Sequence, residues 1–99
     1  MRVAEILQAD AALYERKAKD YAPDPEKPYE NFTSAAAFAS RFRPLRPVDV
    51  VLVMVGTKLS RLATVGLQPG AATNEPVIDT LRDLRVYLAI LQAMLEGGE

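Results

Sequence analysis

The apolar positions of this chain recur with a helical period rather than that of a strand. Leu7, Ala11, Tyr14, Ala18 and Tyr21 follow one another at steps of four, three, four and three, which places them on one face of an amphipathic helix from about Val3 to Tyr21. Arg16, Lys17, Lys19 and Asp20 fall between or beside them, as a solvated face requires. The stretch APDPEKP then holds three prolines in seven residues. Proline lacks the amide donor and blocks the preceding turn, so this is a stiff loop that delivers Lys27 to the next element. Pro28, favoured at a first helical position, opens a shorter second helix with Tyr29, Phe32, Ala36 and Ala39 as its stripe. The small residues Ser34 to Ala37 permit close approach of another backbone, and RPLRP ends the element.

Pro47 starts a third segment that runs to about Gly66. Its VVLVMV stretch is rich in β-branched residues and has a rival reading as a buried strand feeding GTK, loosely like a phosphate-binding strand–loop–helix. No second stretch offers such a strand a partner, and the glycine-rich loop is missing. Valine costs a helix only about half a kcal/mol per residue, which burial outweighs, so the segment is expected to be helical. Its first half is apolar nearly all round, and such a helix needs cover on most sides. Ninety-nine residues hardly supply that cover alone, which argues for self-association. LQPGAATN is a turn with Asn74 as N-cap. A last helix follows from Glu75 to about Glu96, with Val77, Leu81, Leu84, Leu88, Leu91 and Leu95 as a coiled-coil-like seam. The expected fold is all-α: one domain over residues 1–99, built as a helical bundle of an N-terminal helix, a short second helix and a long antiparallel helical hairpin, oligomeric in its working state.

Composition narrows the chemistry. With 49% apolar and 25% charged residues, the chain has the balance of a soluble globule. Twelve basic residues against 13 acidic ones argue against a duplex nucleic-acid footprint, which draws on many phosphate contacts. There is no Cys and no His. That excludes disulfides, structural zinc sites, Cys or Ser–His nucleophiles and imidazole bases. Glu5 and Asp10 spoil a signal peptide at the N-terminus, and the longest apolar run, Val50 to Val55, is far short of a membrane span.

The segment VGTKLSRLATVG carries the sharpest question. Lys58 and Arg61 are three apart with no acid within four positions, so on a helix they repel by a few tenths of a kcal/mol. Two readings stand. Across an antiparallel hairpin they pair with Asp79 and Asp83, or they point an ammonium and a guanidinium at phosphate oxygens. Tyr14 is either core or a platform for a base. Lys27 is either a solvated lysine or one cation held near a helix start, where unpaired N–H groups help bind anions. Glu75, Asp79 and Asp83 share a helical face and offer a Mg²⁺ site. The all-α nucleotide pyrophosphatases also need an ExxE-type pair on another helix, and none is present. No metal and no cofactor is therefore expected.

The order LYERKAKDYA, PYENF, PVDVVLVMVGTKLSRL and NEPVIDTLRDLRVYLAIL resembles the small phage-encoded nucleotide-modification-associated domains. The shared features are a KDY-type end to the first helix, an ENF-type start to the next, K-x-x-R on the long helix and D-x-x-x-D at the start of the last. Within that group the chain is most similar to the phage anti-CBASS sponges. The resemblance implies an all-helical homohexamer in the host cytoplasm that sequesters cyclic oligonucleotide messengers and cleaves nothing. It implies a cyclic dinucleotide held between protomers, with Tyr14 stacking on a base and Lys27 meeting phosphate, although the proline-rich loop before Lys27 departs from the family in length and composition. It further implies separate pockets for cyclic trinucleotides around a basic residue, for which Arg61 and then Lys58 are the candidates. Outside the resemblance, the alternatives are a Mg²⁺-dependent nucleotide pyrophosphatase using Glu75, Asp79 and Asp83, and a helical adaptor that docks a host protein.

Overall fold

In the computed structural model the third segment is a helix throughout its apolar run. The model describes residues 2–21, 24–41, 43–66, 70 and 75–98, with side chains at all of these but 19–21 and 75. The described residues form four α-helices and no strand: α1 (Val3–Tyr21), α2 (Glu30–Ala39), α3 (Pro47–Arg61) and α4 (Glu75–Glu96). A π-helical turn, Leu62–Gly66, continues α3. Helix boundaries agree with the sequence reading for α1 and α4. Helix α2 starts later than expected, because Pro28 and Tyr29 form a turn whose Tyr29 carbonyl accepts the first helical amides, those of Phe32 and Thr33, at 3.0 Å. The predicted N-cap Asn74, most of the turn before α4 and the Tyr21 side chain lie outside the described residues. No helix among the described residues is long and apolar enough to cross a membrane.

The chain divides into two units, Met1–Pro47 and Val48–Glu99. In the first, α1 follows its predicted stripe at Tyr14 and Ala18 but departs from it at Leu7 and Ala11. Leu7 and Ala11 are exposed, whereas Asp10 is buried and Ile6, Leu13, Tyr14 and Ala18 are half-buried. Alanines lie on every side of this helix, so the apolar pattern barely fixes its phase. Asp10 tolerates burial because it has a partner, as a buried carboxylate must. Helix α2 follows its predicted stripe: Ala36 is buried, and Tyr29, Phe32 and Ala39 are half-buried. Two local clamps hold described parts of the connections. The Glu26 amide donates to Asp24 Oδ1 at 2.9 Å and the Lys27 amide to the Asp24 carbonyl at 3.0 Å, an Asx-type turn. Beyond α2, the Leu45 amide donates to Ser40 Oγ at 3.0 Å.

In the second unit Val48, Val51 and Val55 form the buried line of α3, at steps of three and four. On α4 the buried positions are Val77, Thr80, Leu84 and Met94. Val77 and Leu84 of the predicted seam are buried and Leu81 and Leu91 half-buried, but Leu88 and Leu95 are exposed, while Tyr87 is half-buried and Met94 has no exposed surface. Heptad-like spacing fits either phase, and the longer, more adaptable Met side chain takes the inner position. The hydroxyl of buried Thr80 donates to the Pro76 carbonyl at 2.8 Å, so its polarity is satisfied within its own helix. Leu52 and Leu59 beside that line, and Val53 on the other side of α3, are each at least half exposed.

Candidate functional site

Lys58 and Arg61 both sit in the last turn of α3, where positive charge faces the negative end of the helix macrodipole. That offsets part of their mutual repulsion, and α4 offsets more. Lys58 Nζ lies 2.9 Å from Asp83 Oδ2, with the lysine side chain 19% and the aspartate 46% exposed. This is one of the two pairings expected from the sequence. The other is not made: Asp79 is approached instead by Arg82 on its own helix, at 3.4 Å. An i, i+3 partner needs no ordering of a second element, so it reaches Asp79 at lower cost.

Arg61 stands apart from these ion pairs. It is exposed, and among the described residues no carboxylate pairs with it. It lines an open hollow of about 140 Å³ together with Leu62 and Val65 of the π-helical turn and Pro76, Val77 and Thr80 of α4. The π-helical turn shapes one wall by widening the backbone just beyond Arg61. Pro76 contributes to the other wall without an amide donor, in the first turn of α4 where that absence costs nothing. The hollow thus brings one cationic residue to a mostly apolar wall. Sequence periodicity gave no sign of it, because a five-residue turn is too short to show a period of its own.

Tyr14 and Lys27 belong to the other unit. Tyr14 is half-buried on α1, so its ring is neither enclosed in the core nor free in solvent. Lys27 is exposed on the Asx-type turn, and its carbonyl accepts the Glu30 amide at 3.2 Å, which ties the turn to the start of α2. The lysine therefore rides on fixed backbone with its side chain outward. As for the acids proposed to hold Mg²⁺, Asp79 and Asp83 are each engaged by a cation, and the Glu75 side chain lies outside the described residues. No group of three potential ligands suited to a metal ion occurs among the described residues. No buried side-chain polar atom there lacks a hydrogen-bond partner. No protein-family model matches this chain, and no curated protein or solved structure matches it either.

Proposed function

We propose that this protein binds and withholds cyclic dinucleotide and trinucleotide messengers without cleaving them, at pockets completed by further copies of the chain. The observation that carries the reading is Arg61, a guanidinium exposed at an apolar hollow with no carboxylate partner among the described residues. An arginine so placed suits a phosphate, which it meets with two parallel hydrogen bonds. Lys58 stands one helical turn away, oriented by Asp83. Tyr14 keeps part of its ring accessible and Lys27 projects from a pinned turn, as a base-stacking platform and a phosphate contact would. Stacking supplies about 1–3 kcal/mol per base. Sequestration needs no general acid or base, so a chain without His or Cys suffers nothing.

Size argues for shared pockets. The Arg61 hollow, about 140 Å³, is well below the roughly 300–1,000 Å³ usual for small-molecule sites. A cyclic dinucleotide or trinucleotide fits only if other protomers extend the walls. The exposed leucines of α3 supply a surface for that assembly, as a long antiparallel hairpin packed into a homo-oligomer, a hexamer by the resemblance. Calorimetric titration of the purified chain with 3′,3′-cyclic GMP–AMP and with a cyclic trinucleotide tests the reading. Micromolar or tighter binding, with ligand recovered intact after denaturation, is the expected result. No binding of any cyclic dinucleotide or trinucleotide, or turnover of the ligand, overturns it.

The same exposed face of α3 favours one other reading, a helical adaptor that docks a different protein there. Sedimentation separates the two. A chain that stays monomeric and gains mass only with a partner supports the adaptor, whereas a homo-oligomer in the absence of any partner supports the sponge.

A further inference from the structure

The end of α2 carries a second cationic surface, remote in sequence from Tyr14, Lys58 and Arg61. Phe38 is 64% exposed although the Arg41 guanidinium carbon lies 5.3 Å from its ring centroid. That distance is within cation–π range, and the exposure leaves most of the ring open. Arg43, two positions further on, is exposed as well. Both arginines are tied back to α2: the Arg41 amide donates to the Phe38 carbonyl at 3.3 Å and the Arg43 amide to the Ala39 carbonyl at 3.5 Å, while Ser40 Oγ accepts the Leu45 amide at 3.0 Å. Among the described residues no acid pairs with Arg41 or Arg43. The third arginine of the stretch, Arg46, already has a partner. The surface is therefore one aromatic ring with Arg41 over one face, and two guanidinium groups that no described carboxylate pairs with.

We infer that Phe38, Arg41 and Arg43 bind short single-stranded nucleic acid, with one base stacked on Phe38 and successive backbone phosphates on the two arginines. Charge alone admits any polyanion, and the ring decides between them. An acidic peptide satisfies the guanidinium groups but gives an exposed phenyl ring nothing to stack on, whereas every nucleobase has a π-face. Two free cations are too few to hold a duplex through its phosphates. The flat ring also needs an unstacked base, which only a single strand presents.

Fluorescence anisotropy with a labelled eight-nucleotide single-stranded DNA tests this on the full chain. Two phosphate contacts on a single strand give a log–log salt slope of about −1.4, so affinity falls about sevenfold between 50 and 200 mM salt. Phe38→Ala weakens binding about tenfold, the loss of one stacked base, and Phe38→Tyr restores it. Arg41→Ala combined with Arg43→Ala abolishes it. These positions are exposed, so the variants keep the fold, which circular dichroism checks. Tyr14→Ala leaves oligonucleotide binding unchanged, which separates this surface from the messenger sites and makes its failure distinguishable from theirs. The inference is overturned by absence of binding, by Phe38→Ala binding as well as the parent, or by an eight-residue polyglutamate binding as tightly as the DNA.

Discussion

Asp79 and Asp83 are one helical turn apart on α4 and carry different loads. Asp83 answers a lysine whose side chain is mostly buried, and Asp79 answers an arginine from the more exposed side of the same helix. Exposed i, i+3 pairs contribute a few tenths of a kcal/mol. A half-buried pair between elements contributes more, since removing one partner leaves the other charge poorly solvated. Asp83→Ala is therefore expected to cost about 1–2 kcal/mol in urea denaturation, and Asp79→Ala no more than about 0.5 kcal/mol. Equal costs would mean that the Lys58–Asp83 contact does not hold α4 in place. Arg61 differs again, having no such structural partner among the described residues. Arg61→Ala should leave the denaturation midpoint unchanged and lower cyclic trinucleotide affinity more than cyclic dinucleotide affinity, both read by calorimetry. Equal loss of both, accompanied by lost stability, would return Arg61 to a structural role.

At the scale of elements, α4 shows where a sequence pattern stops being informative. Its extent was legible, because an apolar repeat over 22 residues ending in EGG leaves little choice. Its phase was not. Leu88 and Leu95 compete with Tyr87 and Met94 for the inner line, and a repeat of threes and fours accepts either set. Hydrophobicity alone ranks leucine first, whereas shape put Met94 inside. Hence Met94→Ala is expected to cost about 2–5 kcal/mol through the cavity it leaves, and Leu95→Ala, 61% exposed, no more than about 0.5 kcal/mol. Guanidinium denaturation of the two variants checks this, and the reverse order would restore the predicted seam. Helix α1 kept its predicted stripe at Tyr14 and Ala18 and lost it at Leu7 and Ala11, its alanines hiding the phase and Asp10 taking an inner position that no polarity pattern anticipates. Of the candidate site, the Lys58–Asp83 pair followed from counting residues on either side of the turn. The hollow at Arg61 did not, because it depends on a local change of helical pitch.

For the whole molecule, the unresolved balance is the apolar face of α3. Leu52, Val53 and Leu59 remain at least half exposed in the single chain, and covering a half-exposed leucine is worth about 1 kcal/mol. A chain of this length is only marginally stable alone, so on the proposed reading cover by further copies would add to stability as well as to pocket size. Leu52→Glu combined with Leu59→Glu should dissociate the assembly to monomers while helicity persists, as sedimentation and circular dichroism would show. An unchanged mass would place the interface elsewhere. The most direct trial of the sequestration account is a crystal structure of the chain grown with 3′,3′-cyclic GMP–AMP. The account predicts an intact ligand at a junction between copies, a base against the Tyr14 ring and a phosphate within hydrogen-bonding reach of Lys27. A ligand-free lattice grown at saturating ligand, or a ligand bound away from Tyr14 and Lys27 on a lone subunit, would contradict it.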